Sequence, residues 1–149
     1  MSSNFEEYQK QLIAEMEKLY SETVMEHALN PRNMREINDA DGASRITGPC
    51  GDTMQIWLKV KDNIITDAAF STDGCGTTRA CGNIAIDLIL QQDIKQAIEI
   101  DQEKILKSLG DLPEDDRHCA LLAANTLKAA IQDYFAVKKE PWKKVYRKK

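Results

Sequence analysis

Phe5, Tyr8, Leu12, Met16, Leu19 and Thr23 recur at steps of three and four residues, which predicts one amphipathic helix over residues 6–29. Asn30-Pro31-Arg32-Asn33 ends it, because the residue before a proline is pushed out of the helical region. Residues 34–43 are polar and aperiodic and read as a loop. From there the period drops to two. Residues 44–47 suggest a short strand. Over 53–60, Met54, Ile56, Leu58 and Val60 alternate with Thr53, Gln55, Trp57 and Lys59, which predicts a half-buried strand. Lys61-Asp62-Asn63 supplies a turn, and 64–71 returns as a second strand with Ile64, Ala68 and Phe70 on one face.

Beyond residue 75 the helical period resumes. Residues 78–91 are apolar enough for a largely buried helix. Asp93 and Asp101 are placed to cap short helices over 94–100 and 102–109, with Gly110 as a C-cap. Residues 113–116 open a last long helix, reaching about residue 138, whose stripe is Ala123, Leu127, Ala130, Ile131 and Tyr134. Helix, three strands, then helices is an α+β order: a small three-stranded antiparallel sheet with helices packed on one face and a long C-terminal helix.

With 42% hydrophobic and 30% charged residues in 149, the chain has the composition of one soluble domain with a real core. No apolar run approaches a membrane span. The first residues lack the basic head and apolar core of a secretory signal. The expected setting is cytoplasmic, away from any membrane, and four cysteines are then expected reduced. The net charge of −4 hides an asymmetry. Residues 138–149 hold seven Lys/Arg against one Glu, a net +6, while the remainder holds 13 basic and 23 acidic residues, a net −10. The chain therefore divides into a single domain over 1–137 and a basic tail over 138–149. An acidic body argues against nucleic acid as the ligand, and the tail reads as a solvated segment or a dock for an acidic protein.

Three of the cysteines fall where this fold brings segments together. The turn at 61–63 lies almost midway between Cys50 and Cys75, so the hairpin returns Cys75 beside Cys50 at its open end. Both adjoin glycine. Cys119 follows His118 in the first turn of the last helix, where exposed amides and the helix dipole are expected to favour a thiolate. Asp52, two residues after Cys50, adds a hard oxygen, and His118 is either a further ligand or a surface residue of the helix start. Cys50, Asp52, Cys75 and Cys119 suit iron in an iron–sulfur cluster or tetrahedral zinc. Cys81, early in an apolar helix, is either a small core residue or a further thiol at the site. His27, near a helix end, reads as structural.

Gly48-Pro49-Cys50-Gly51-Asp52, Gly74-Cys75-Gly76 and His118-Cys119-Ala120 resemble, in order, the three cysteine motifs of the IscU-type iron–sulfur cluster assembly scaffolds, equivalent to the N-terminal domain of NifU. Asn30-Pro31-Arg32-Asn33 and Lys128-Ala129-Ala130-Ile131-Gln132-Asp133-Tyr134 resemble further stretches of that family, and the likeness spans residues 20–134. The resemblance implies a scaffold, not an enzyme. It would take iron and persulfide sulfur from a cysteine desulfurase, build a [2Fe-2S] cluster, and pass it to acceptor or carrier proteins. It implies Cys50, Cys75 and Cys119 as cluster thiolates, Asp52 as the carboxylate that keeps the cluster labile, Cys119 as persulfide acceptor, and zinc as an occupant on isolation. A homodimer is compatible with it.

The chain departs from the family at two places. Where the family carries Leu-Pro-Pro-Val-Lys, the signal for an Hsp70-type chaperone, this chain has Leu112-Pro113-Glu114-Asp115-Asp116, which argues against recognition by that chaperone. Cys81 stands where a Ser or Ala is expected. The long insertion that SufU-type relatives carry between their second and third cysteines is absent. Two rival readings remain: a zinc-binding relative with a structural or regulatory role, and a thiol-based sulfur-transfer protein in which Cys81 resolves a disulfide.

Overall fold

In the computed structural model the described residues run from Ser2 to Glu140, without the side chains of Ser2, Ser3 and Met16. The elements are α1 (Ser2–Leu19), α2 (Glu22–Leu29), β1 (Gly42–Thr47), β2 (Thr53–Lys61), β3 (Ile64–Thr72), α3 (Gly76–Ile89), α4 (Ile94–Ala97), α5 (Gln102–Leu109), a 3-10 turn (Glu114–Asp116) and α6 (Arg117–Lys139). Of the basic stretch expected over 138–149, residues 141–149 lie outside the described residues, Trp142 among them. No helix among the described residues is long and apolar enough to cross a membrane.

The single helix expected over 6–29 is two. Ser21 takes an extended backbone and caps α2, accepting the Val24 N–H on Oγ at 3.1 Å, while its own hydroxyl donates to the Leu109 carbonyl. A capping hydroxyl fixed from outside ends α1 at Leu19 and starts α2 in a new direction. The other caps fall as the sequence predicts. Asp93 and Asp101 accept the Lys95 and Lys104 amides, and Gly110 closes α5 in the left-handed region at φ 79°. The short helix after Asp93 stops at Ala97 rather than at 100, and the last helix is preceded by a 3-10 turn.

The sheet is antiparallel in the order β1-β2-β3, with Ile46 opposite Met54 and Ile56 opposite Phe70. Asp62 and Asn63 both have positive φ, the twist a two-residue hairpin turn requires. Met54, Ile56 and Leu58 are fully buried beneath the helices, as their alternation predicts, each contributing about 1.5–3 kcal/mol. On β3 the expected face is shifted. The register slips between Lys59 and Val60, leaving exposed Thr66 as the extra residue, so Ile65 rather than Ile64 joins Ala68 and Phe70 in the core. The loop expected from residue 34 begins by lining the free edge of β3: Arg35 N–H donates to the Phe70 carbonyl and Phe70 N–H to that of Asn33. That edge is thereby blunted against a further strand.

Helices α3 and α6 cover one face of the sheet through two close approaches. A Cβ built on Gly82 would lie 2.5 Å from Phe70 Cδ2, and one on Gly42 would lie 2.6 Å from the Ala130 carbonyl oxygen and 2.8 Å from Tyr134 Cβ. The second clash is with helix backbone and cannot be relieved by a rotamer. Gly42→Ala is therefore expected to destabilise the fold by about 1–3 kcal/mol, measured by urea denaturation. An unchanged midpoint would mean that α6 does not rest on β1.

Candidate functional site

The open end of the hairpin is fastened across its two strands. Thr53 N–H donates to Asp73 Oδ1 at 2.8 Å, and the Thr72 hydroxyl donates to the Thr53 carbonyl at 2.6 Å. On one side of this closure the chain reverses through Gly48–Asp52. Gly51 sits at φ 93°, its N–H bonded to the Gly48 carbonyl, and this turn carries Cys50 outward and exposed. On the other side Cys75 occupies the N-cap of α3 with its thiol exposed and making no cap bond. The first turn of α6 reaches the same place and brings Cys119, which is 2% exposed.

Thr78, fully buried in the first turn of α3, links these pieces. Its hydroxyl donates to Asp52 Oδ2 at 2.8 Å, and the same oxygen stands 3.4 Å from Cys119 Sγ and 3.9 Å from Cys75 Sγ. Gly74 makes room for this contact, since a Cβ there would lie 2.7 Å from Asp52 Oδ2 and 2.8 Å from Thr78 Cβ. The sequence reading did not single out Thr78. Its signal was present: a hydroxyl three residues after a cysteine at a helix start lies on that cysteine's face.

The expected site residues thus fall into two groups. Asp52, Cys75 and Cys119 gather around one hydroxyl. Cys50 stands on the adjoining exposed turn. His118 is exposed, with Nε2 3.7 Å from Cys119 Sγ. Cys81 is fully buried in the core, where burial pushes its thiol well above the ordinary range, with further upward pushes from Cys119 and Cys75. Among the described residues no three His, Cys, Asp or Glu side chains already stand as a metal cage. His27 is structural as expected, its Nδ1 2.6 Å from Asn83 Nδ2 between α2 and α3. Asp116 accepts the Tyr20 hydroxyl at 2.6 Å, which raises the Tyr20 pKa.

The reactivity expected of Cys119 from its helix position is corrected by its burial. Desolvation pushes its thiol up to about 11; the Thr78 hydroxyl offsets this in part, and negative charge at Cys75, Asp116 and Cys50 adds to the rise. Desolvation here outweighs the helix dipole. In the metal-free protein at pH 8, iodoacetamide is therefore expected to alkylate Cys50 and Cys75 at least about tenfold faster than Cys119, whose rate climbs with pH toward 11 as thiolate forms. Peptide mass spectrometry of a time course measures this. Equal rates at Cys119 and Cys50 would contradict the buried placement.

Known proteins resemble this chain over most of its length. A family model described as the NifU-like N terminal domain matches residues 19–141. The chain is 42% identical over 118 residues to the iron–sulfur cluster assembly scaffold protein IscU 1 of Archaeoglobus fulgidus, covering 78% of this chain and 77% of that protein. It is 39% identical over 122 residues to the IscU scaffold protein of Haemophilus influenzae, covering 78% of this chain and 96% of that one. The fold is similar to the crystal structure of a NifU-like N-terminal protein from Brucella abortus, with a TM-score of 0.63 at 19% identity over 81% of this chain and 97% of that one.

Proposed function

Given that the chain belongs to the NifU-like N-terminal domain family, we propose that it is a scaffold on which an iron–sulfur cluster of the [2Fe-2S] type is assembled and from which it passes to acceptor proteins. The observation that carries this reading is the gathering of Asp52, Cys75 and Cys119 around the Thr78 hydroxyl, with Cys50 on the adjoining turn. Three thiolates and one carboxylate bind iron but hold it less firmly than four thiolates, which suits a cargo that must leave. The donors are not preset, so loading includes release of Asp52 from Thr78 and closure of the Cys50 turn.

Sulfur enters at Cys119 once contact with the desulfurase uncovers its thiol, which in the free chain is buried and held neutral by desolvation. Its thiolate attacks the terminal sulfur of a cysteine desulfurase persulfide. A new S–S bond forms on Cys119, the desulfurase S–S bond breaks, and the desulfurase cysteine leaves as thiolate. Each such sulfur takes two electrons to become sulfide: one comes from a ferrous ion that is oxidised to ferric, and an external reductant supplies the other, so two ferrous ions and two persulfide sulfurs give a diferric core. The chain turns over no substrate of its own and is a scaffold rather than an enzyme. Its setting is the cytoplasm, where thiols stay reduced. Without iron, the same donors suit zinc.

The test is anaerobic incubation of the reduced full chain with a desulfurase, cysteine, ferrous iron and a thiol reductant, followed by addition of an apo-acceptor ferredoxin. A visible chromophore forms on the chain and moves to the acceptor. A colourless chain that retains only zinc would replace this reading with the zinc-binding one. A trapped mixed disulfide at Cys81 would favour sulfur transfer alone.

Partner choice carries a separate expectation. In the Leu112–Asp116 stretch an acid stands where the chaperone signal has lysine, and Tyr20 engages it. An Hsp70-type chaperone specific for Leu-Pro-Pro-Val-Lys is expected to bind this chain at least about tenfold more weakly than it binds that peptide, a difference of about 1.4 kcal/mol. Equal affinity in a fluorescence competition assay would remove the chaperone distinction.

A further inference from the structure

Helix α1 has a hydrophobic stripe that the described residues leave uncovered. Every described side chain from Asn4 to Leu19 is exposed, with Phe5 and Tyr8 at 63%, Leu12 at 46% and Leu19 at 65%. Apart from its last residue, the helix precedes the family match, which begins at residue 19. An 18-residue helix is marginal in water when its apolar face is uncovered, because packing of that face supplies most helical stability in proteins. A cover for the stripe is therefore part of what holds α1 together.

The spacing of the stripe identifies the cover. Phe5, Tyr8, Leu12, Met16 and Leu19 follow one another at steps of three, four, four and three, a pattern that reads the same in both directions about Leu12. A twofold interface must be self-complementary, each position i meeting j while j meets i. Two antiparallel copies of α1 centred on Leu12 meet that condition: position 5 opposes 19, 8 opposes 16, and 12 opposes itself. Phe5 and Met16 are eleven residues apart, as are Tyr8 and Leu19, so the stripe runs nearly straight along the helix. Nearest the centre the stripe is flanked by Gln9 on one side and Glu15 on the other, and about this axis position 9 opposes position 15, so Glu15 meets an amide and not a second carboxylate.

We infer that α1 is a homodimerisation helix, pairing antiparallel with α1 of a second copy of this chain about a twofold axis at Leu12. Covering the stripe on both copies removes on the order of 1,000 Å² of surface, the lower edge for a specific interface, so the dimer is weak and concentration-dependent. An α1 of 18 residues is about 27 Å long, and each α1 ends beside its own Tyr20, which bonds Asp116 near Cys119. The antiparallel pair therefore holds the two cysteine sites near opposite ends of the helix pair.

Sedimentation velocity of the reduced full chain from about 1 to 200 µM tests this, with far-ultraviolet circular dichroism over the same range. The expected result is a reversible monomer–dimer equilibrium with a micromolar dissociation constant, and helicity that rises with concentration. Leu12→Glu places two carboxylates on the axis and is expected to raise the dissociation constant at least about tenfold. Because Leu12 lies on the projecting helix, the thermal melt of the body stays unchanged. Phe5→Glu or Leu19→Lys alone also weakens the pair, while the double variant Phe5→Glu/Leu19→Lys regains about tenfold over either, since the axis opposes positions 5 and 19. A chain monomeric throughout overturns the proposal and leaves the stripe to a different protein or a lipid surface. A dimer indifferent to Leu12→Glu, or a double variant no tighter than the singles, overturns it equally.

Discussion

Replacing Cys119 by serine is expected to abolish the cluster chromophore, and replacing Cys50 or Cys75 to do the same, while Cys81→Ala leaves it in place. Four donors hold the cargo in this account, and one is a carboxylate. Losing one thiolate leaves two sulfurs, too few for the two irons of a [2Fe-2S] core. Cys119 is the most sensitive test because it is both buried and beside Thr78, where a serine hydroxyl keeps the shape and removes the soft donor. Cys119 and Cys81 lie in the same buried cluster, but it is the Cys119 thiol that stands at the Thr78 hydroxyl beside Asp52. Anaerobic reconstitution of the four variants, read by visible absorption with iron and sulfide analysis, measures the set. A full cluster in Cys119→Ser would refute the ligand assignment. Complete failure of Cys81→Ala with an intact fold would make Cys81 an obligatory ligand.

Asp52→Ala is expected to lengthen the life of the assembled cluster against a chelator by about tenfold, equivalent to about 1.4 kcal/mol in the barrier to loss. Asp52 serves two states. Without metal it accepts the Thr78 hydroxyl and fastens the turn after Cys50 to α3. Were the cluster bound as proposed, Asp52 would supply the hard oxygen among soft sulfurs and the bond that opens first to a chelator or an acceptor thiolate. Alanine removes that route, and the position passes to the His118 imidazole, which is exposed beside Cys119 and is a firmer donor. The absorbance decay after addition of a chelator gives the rate. Faster loss in Asp52→Ala would show that the carboxylate holds the cluster rather than releasing it.

Elements whose cause is local were legible in the sequence. The alternation of β2, the caps Asp93 and Asp101, the left-handed Gly110 and the two-residue hairpin turn each depend on residues within a few positions. What was not legible depends on contacts far along the chain. Ser21 reads as a helix-interior residue until the Leu109 carbonyl claims its hydroxyl, 88 residues away. The slip that exchanges Ile64 for Ile65 belongs to the pairing of two strands and to neither alone. At the site, the glycine-flanked cysteines and Asp52 were visible as residue types. The burial of Cys119, which reverses the effect expected from its helix position, and the bridging role of Thr78 are properties of the packed site. The apolar stripe at the N-terminus was visible as a pattern; that its face is open became clear only once α1 parted from α2.

The most direct measurement of the central claim is Mössbauer spectroscopy of the full chain reconstituted anaerobically with ⁵⁷Fe, desulfurase and cysteine. The account predicts quadrupole doublets of two antiferromagnetically coupled ferric ions, diamagnetic at low temperature and in an applied field, with two irons and two sulfides per cluster. A spectrum of isolated tetrahedral ferrous iron alone, or a chain that stays iron-free with zinc bound, would contradict it.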